Sequence, residues 1–360
     1  MAPVIRALYK RPEQFDSVVC VTAQHRQMLD QVLALFEIQP DYDLNLMQHS
    51  QTPSQVAASV LVQLEPILER ENPDWVLVQG DTTTTMAAAV AAFYARVKVG
   101  HVEAGLRSFD KRQPFPEEIN RIIAGVTADM HFAPTSQSRQ NLLREGVPED
   151  RIHVTGNPGI DAFQWVVSQP IDERGIKALI PDLATDVKLI LVTAHRRENF
   201  GQPLEEICRA LRALAERYAG EIHILYPVHL NPNVQEPVHR LLGGLPNVTL
   251  TPPLDYAPMA HLMQRATLVL TDSGGIQEEA PSIGKPVLVL REVTERPEAL
   301  EAGTVRLVGT DYERIVAESM RLLEDPQAYN QMARAVNPYG DGRAAGRIAA
   351  ALLGEAVEQF

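Results

Sequence analysis

Ala266-Thr-Leu-Val-Leu-Thr-Asp-Ser-Gly-Gly-Ile-Gln-Glu-Glu-Ala280 is the stretch whose reading decides how this chain folds. The run Ala266–Leu270 is apolar enough for a buried strand. It stops at Ser273-Gly274-Gly275, and a helix-compatible segment follows. Two glycines let the backbone turn sharply and approach a ligand closely. The amides that open the next helix offer unpaired N–H groups and the positive end of a dipole to an anion. Glu278 and Glu279, one turn on, suit hydroxyl groups rather than phosphate, as the acid of a dinucleotide fold suits a ribose. The stretch therefore points to a phosphorylated ligand that carries a sugar. A plain strand–helix turn with an acidic first turn is the alternative, and Gly-Gly alone would favour it.

Outward from this turn the same alternation repeats. Expected strands are Ser17–Val21, Trp75–Val78, Val97–Val102, Met130–Phe132 and Arg151–Val154, then Lys188–Val192, Ile222–Leu225, Val248–Leu250, Ala266–Leu270, Pro286–Leu290 and Val305–Val308. Near-continuous apolar strands separated by helical segments imply α/β folding, with parallel sheets covered on both faces. At 360 residues the chain exceeds one ordinary core, and two doubly wound domains are expected. Their expected bounds are 1–167 with 343–360, and 168–342. The last piece, again helical in pattern, is assigned to the first domain as a return brace. The chain opens on a helix, with Met1, Val4, Ile5 and Leu8 at helical spacing and no strand before it.

A formal net charge of −13 argues against nucleic acid or an anionic membrane as main partner. Anionic ligands must then be held by local cations and helix ends. Cys20 and Cys208 stand far apart without metal-ligand spacing, which fits free thiols in a reducing cytoplasm. No apolar run reaches the roughly 20 residues needed to cross a bilayer. No secretory leader is recognised either.

Polar clusters sit where strands end, which is where open α/β sheets bind ligands. Gln79-Gly-Asp81-Thr-Thr-Thr-Thr85 follows one strand, and Asp81 has two readings, helix cap or ligand residue. Glu103, in His101-Val-Glu-Ala-Gly-Leu-Arg107, is hard to explain as packing. Pro114-Phe-Pro-Glu-Glu-Ile-Asn-Arg121 reads as a helix start with proline at the first helical position, so local chemistry alone leaves Glu117 and Glu118 structural. His195, Arg196 and Arg197 concentrate positive charge after Lys188–Val192, as binding a diphosphate requires. His229 is either similar or structural. Arg296 is placed to pair with a nearby acid or to reach an anion. No metal cluster and no paired nucleophile is evident.

Together these stretches resemble the non-hydrolysing UDP-N-acetylglucosamine 2-epimerases of bacteria. The motifs run nearly end to end: Val21–Arg26, Gly80–Thr84, His101–Arg107, Thr271–Pro281, Thr294–Glu298 and Asn337–Gly342. The resemblance implies two Rossmann-like domains of the glycosyltransferase-B type, an active site in the cleft, a homodimer, and neither metal nor nicotinamide. It implies interconversion of UDP-N-acetylglucosamine and UDP-N-acetylmannosamine, by elimination and re-addition of UDP through a 2-acetamidoglucal, in support of cell-surface polysaccharide synthesis. By the same resemblance Asp81, Glu103 and Glu117 form the acid/base set and His195 supports the diphosphate. Ser273, Gly274 and Gly275 bind phosphate, Glu279 takes the ribose hydroxyls, and Arg296 holds the UDP moiety or the sugar. The family match thus overrides the structural reading of Glu117.

Bacterial members also bind a second UDP-N-acetylglucosamine as activator, and Gln24, Gln27, Glu117, Arg196 and His229 match its lining. Ser50 stands where some members have arginine, so weaker or absent activation is expected. Members begin with a strand and a Gly-Thr-Arg-Pro-Glu turn. This chain starts after that point, so a first domain without its first strand and with impaired turnover is expected. A hydrolysing epimerase, a nucleotide-sugar binding module without turnover and a glycosyltransferase of the same architecture are the competing readings.

Overall fold

Unbroken apolar runs become parallel strands in this protein because helices cover both faces of each sheet. The computed structural model describes residues 1–23, 26–46, 51–171, 179–180, 186–294 and 296–360. The chain divides into two units, Met1–Ala162 with Tyr339–Phe360, and Phe163–Pro338. Both are Rossmann-like α/β units.

The first unit runs α1 (Ala2–Tyr9), β1 (Cys20–Val21), α2 (Arg26–Leu35), β2 (Tyr42–Asp43), α3 (Pro53–Glu71), β3 (Trp75–Gln79), α4 (Thr83–Tyr94), β4 (Lys98–Val102), α5 (Glu117–Thr127), β5 (Met130–Ala133), α6 (Ser136–Arg144) and β6 (Ile152–Val154). Strands β3-β4-β5-β6 form one parallel sheet, with Gln79 beside Val102 at the end of the first pair. β1 and β2 pair separately. β2 was not among the expected strands: two residues, half of them charged, leave no periodicity to read. β1 is confined to the last two residues of the expected Ser17–Val21.

The helices follow from their sequences. Thr52 and Gln55 form a capping box at the start of α3, each side chain bonded to the other's backbone amide. Val56, Val60, Leu64, Ile67 and Leu68 then recur on one buried face. α4 buries Ala87, Ala89, Ala91 and Ala92, whose small side chains let it pack closely on α3 and the sheet.

Helix α7 (Pro158–Ser168) carries the chain across the boundary between the units. The second unit continues with β7 (Lys188–Thr193), α8 (Gln202–Arg217), β8 (Ile222–Pro227), α9 (Pro232–Leu242), β9 (Val248–Thr251), α10 (Tyr256–Arg265), β10 (Leu268–Thr271), α11 (Gly274–Glu279), β11 (Val287–Val289), α12 (Pro297–Glu301), β12 (Val305–Leu307), α13 (Tyr312–Glu324) and α14 (Pro326–Ala333). Its sheet has the order β12-β11-β10-β7-β8-β9, all parallel. From β7 the chain winds outward through β8 and β9, then returns to β10 on the other side. The winding reverses between β7 and β10. The core beneath is made by β7, β8 and β10 with α8, whose Leu204, Ile207, Leu211 and Leu214 are fully buried. Each such side chain contributes about 1.5–3 kcal/mol.

The last helix, α15 (Ala344–Leu352), lies in the first unit against α1. Val4 and Leu8 of α1 meet Ile348 and Ala349 in one cluster, the face that the helical spacing of Met1, Val4, Ile5 and Leu8 predicts. Asp161 holds the start of α15 by accepting from the amides of Ala344 (3.2 Å) and Ala345 (2.8 Å). Burial pushes the Asp161 carboxyl up to about 6.

Candidate functional site

In an open α/β sheet the ligand crevice lies at the carboxyl ends of the strands where the winding reverses. In the second unit this is the end of β7 and β10. There Thr193 and Thr271 share a hydrogen bond of 2.6 Å between their hydroxyls. The two turns that follow carry the expected residues.

After β10, Ser273 caps α11 without using its side chain for the cap. The helix opens on Gly274 and Gly275, and a Cβ built on Gly275 would meet open space. A Cβ on Gly274 would lie 3.8 Å from an Arg296 guanidinium nitrogen and 3.9 Å from one of Arg196. Two guanidinium groups therefore converge on the start of a helix whose first amides have no intrahelical acceptor, a combination suited to phosphate. Arg296 also pairs with the buried Glu278 through its Nε, the local ion pair of the two readings of this arginine. Glu278 is thereby committed to Arg296. Glu279 instead accepts from the Tyr256 hydroxyl at 3.1 Å. Burial raises the Glu279 carboxyl to about 7, partly opposed by the Tyr256 hydrogen bond. Burial also raises the Tyr256 phenol, with Glu279 adding to it.

After β7, the imidazoles of His195 and His229 stack with centroids 5.4 Å apart and planes 11° from parallel. His229 is exposed, and its Nδ1 accepts from the Asn231 amide at 3.0 Å. The backbone amides of His195 and Arg196 both donate to Asp272 Oδ2 at 2.8 Å. Asn199 Nδ2 donates to the same oxygen at 3.1 Å and to the Leu290 carbonyl at 3.1 Å.

In the first unit the turns after β3 and β4 come together. Gly80, at φ 75°, bonds its amide to the Val102 carbonyl. A Cβ there would lie 3.6 Å from Glu103 Oε2. Glu103 itself is left-handed at φ 63°, a conformation disfavoured by about 1–2 kcal/mol for a residue with a Cβ. Gln79 Nε2 donates to its carboxylate at 3.3 Å. The Met1 ammonium donates to the other end of that amide. His101, buried and held down to about 4 by desolvation, stays neutral and donates Nε2–H to the Gly80 carbonyl at 2.8 Å.

Asp81 follows directly. It does not cap α4: Thr82 does, its hydroxyl accepting from Thr85 N. Asp81 Oδ2 instead receives Arg121 Nε (2.9 Å) and Nη2 (2.6 Å), while Asn120 Nδ2 binds its carbonyl. Pro116 precedes α5 as its cap residue rather than standing at the first helical position, and Glu117 opens the helix. The adjacent acids separate in role. Glu118 is buried, accepts from the amides of Ser108 and Phe109, and pairs with Arg121. Glu117 is half-buried beside it.

Asp81 and Glu103 thus flank Gly80, and α5 brings Glu117 to the same end of the sheet. His195, Arg196, His229, Ser273, Gly274, Gly275, Glu279 and Arg296 gather in the second unit. Gln24 and Ser50 lie outside the described residues, and Gln27 is placed only by its backbone in α2. Asp272, Asn199, Arg121 and Tyr256 were not singled out from the sequence. The available signal was weak: Asp272 directly ends a buried strand, but its partners lie in a distant turn. Among the described residues no group of three His, Cys, Asp or Glu could hold a metal ion, and no helix is long and apolar enough to cross a membrane.

A family model described as UDP-N-acetylglucosamine 2-epimerase matches residues 6–353. The chain is 58% identical to a UDP-N-acetylglucosamine 2-epimerase of Salmonella typhimurium over 356 residues, 98% of this chain and 94% of that one. It is 57% identical to the enzyme of the same description from Escherichia coli strain K12, with the same coverage. Among solved structures it is similar to the UDP-GlcNAc 2-epimerase of Neisseria meningitidis bound to UDP-GlcNAc, with 47% identity, a TM-score of 0.87, and coverage of 99% of this chain and 96% of that one. This chain belongs to the UDP-N-acetylglucosamine 2-epimerase family.

Proposed function

We propose that the protein interconverts UDP-N-acetylglucosamine and UDP-N-acetylmannosamine by inverting carbon 2 of the sugar. The observation that carries this reading is the division of chemistry between the two units: carboxylates around Gly80 in one, and cations around the Gly274 amides in the other. Proton transfer at carbon needs the first, and departure of a nucleoside diphosphate needs the second.

The carbon-2 proton is weakly acidic, so removing it alone is costly. Loss of the proton to a carboxylate is coupled to breakage of the carbon 1–oxygen bond. The bonding pair leaves with UDP, and carbons 1 and 2 become doubly bonded in a 2-acetamidoglucal. Reprotonation of carbon 2 on the opposite face and re-addition of UDP to carbon 1 complete the inversion without net redox change. Asp81, Glu103 and Glu117 are the acid/base set. His195 and Arg296 stabilise the departing diphosphate, with Ser273, Gly274 and Gly275 on the phosphates. Glu279 takes the ribose hydroxyls.

Gln24, Gln27, Glu117, Arg196 and His229 form an activator site for a second UDP-N-acetylglucosamine, weakened by Ser50. The protein acts as a homodimer. Exposed Val62 on α3, Phe93 and Tyr94 on α4, and Ile119 and Val126 on α5 support this, because these helices pack in succession and leave large apolar side chains in water. The unpaired Cys20 and Cys208 support a reducing, cytoplasmic setting.

Incubation with UDP-N-acetylglucosamine in deuterium oxide, followed by proton NMR, tests the activity. UDP-N-acetylmannosamine deuterated at carbon 2 is expected. Free N-acetylmannosamine with UDP would assign a hydrolysing enzyme, and UDP-sugar binding without product a binding module.

A further inference from the structure

The buried carboxylate of Asp272 is used unevenly. Oδ2 receives three donors, His195 N, Arg196 N and Asn199 Nδ2. Oδ1 is buried and has no hydrogen-bond partner. Buried carboxylate oxygens are normally satisfied, and an exception in a binding region calls for a role. The atom facing Oδ1 is His195 Nδ1, at 3.7 Å, just beyond hydrogen-bond reach. The imidazole itself is substantially exposed, at 44% of its side-chain surface.

We propose that Asp272 is a positioning residue for the reaction: Oδ2 fixes the turn that carries His195 and Arg196, and Oδ1 orients the His195 imidazole. With Nδ1–H donated to Oδ1, Nε2 is the nitrogen left to face a ligand. Asp272 also stands between the two turns of the crevice, directly after β10 and bonded to the turn after β7. One side chain therefore sets the Gly274 amides and the His195 ring relative to each other. Asn199 is the second member of this set, because its bond to the Leu290 carbonyl ties the same carboxylate to the end of β11. Tyr226 completes it by donating from its hydroxyl to the Ala194 carbonyl at 2.6 Å. This proposal rests on the assignment of His195 to the diphosphate.

The test uses the full chain with UDP-N-acetylglucosamine and UDP. Asp272→Asn keeps an oxygen for the three donors of Oδ2. It turns an amide nitrogen toward Nδ1, which then calls for the opposite tautomer. Expected are a melting temperature close to that of the wild type, a KM within about twofold, and a kcat lowered at least about tenfold. The same change added to His195→Asn should lower kcat no further, since residues acting as a unit are non-additive. Should His195→Asn alone leave kcat unchanged, the assignment of His195 falls and the proposal with it. If His195→Asn lowers kcat while Asp272→Asn does not, or the two losses multiply, only the role of Asp272 falls. A measurement on the wild type removes dependence on how the variant folds. In protein carrying 15N-labelled histidine and saturated with UDP, His195 Nδ1 should bear a slowly exchanging proton. An unprotonated Nδ1 would overturn the proposal.

Discussion

Glu117 and Glu118 are neighbours of identical chemistry with different surroundings, and they should fail differently. Glu118 is itself buried, accepts from the backbone amides of Ser108 and Phe109, and shares Arg121 with Asp81. Replacing it with alanine removes these hydrogen bonds to a charged group, at about 1.5–3 kcal/mol. Calorimetry should show a clear fall in Tm for Glu118→Ala and little change for Glu117→Gln. The kcat of Glu117→Gln should nonetheless fall by roughly 100-fold or more, as loss of an acid/base group does. Local chemistry could not separate the two, since both read as acids in a helix's first turn. Asp81 shows the same limit. Asp81 and Thr82 are both good cap residues, and only the position of Arg121 on α5 decides that Thr82 caps while Asp81 pairs.

Glu279 supplies a pH signature. Its ordinary value of 4.5 is raised to about 7 in the folded protein by burial. The folded state holds this proton between those values and the unfolded state does not. The group's stabilising effect is therefore complete below 4.5 and is lost as pH rises through about 7. Ribose hydroxyls donate best to the ionised carboxylate, so UDP affinity should rise as pH climbs toward 7 and level off above it. The titration of UDP's own phosphate also contributes, so the useful quantity is the wild type minus Glu279→Gln. Calorimetric titrations from pH 5.5 to 8 in buffers of different ionisation heat should show proton release that the variant lacks. Equal proton release in both proteins would remove Glu279 from the ribose.

At the scale of elements, the turn after β4 is tightly constrained. Glu103 is left-handed, and Gly105 follows at φ 87°. A Cβ at Gly105 would come within 2.3 Å of the Ser138 carbonyl oxygen, while the Gly105 carbonyl accepts from Asn141 at 3.0 Å. Helix α6 therefore presses on the turn that aims Glu103. Gly105→Ala should lower stability by more than about 2 kcal/mol, through strain and overpacking, and lower kcat with it. A variant with unchanged Tm would show that α6 gives way easily. Most strands were legible because parallel strands between helices are apolar throughout, as in Lys188–Val192 and Ile222–Leu225. β2 was not, because two residues carry no period. The glycines and cations of the candidate site are each visible at a strand end in the sequence. Asp272, Asn199 and Tyr256 were not, because their roles depend on which strands become neighbours in the sheet.

For the whole molecule, the exposed side chains on α3, α4 and α5 make association testable. Light scattering should report a dimer for the wild type and a monomer for a Tyr94→Glu, Val126→Glu double variant, whose added charges oppose an apolar contact. The Tm of the wild type should rise with concentration and that of the double variant should not. A monomeric wild type would leave the apolar side chains without a partner.

Because α15 returns to pack on α1, the second unit is an insertion within the first. The Phe360 amide bonds the Val154 carbonyl, and Arg347 joins Asp341, the Thr155 carbonyl and the Glu358 carbonyl. The first-synthesised unit is therefore completed last. On the ribosome, residues 163–338 are all in hand before the segment that closes the first unit emerges, so the second unit is free to fold early while the first waits. Translation stopped before residue 339 would leave the unit that was begun first without its closing segment.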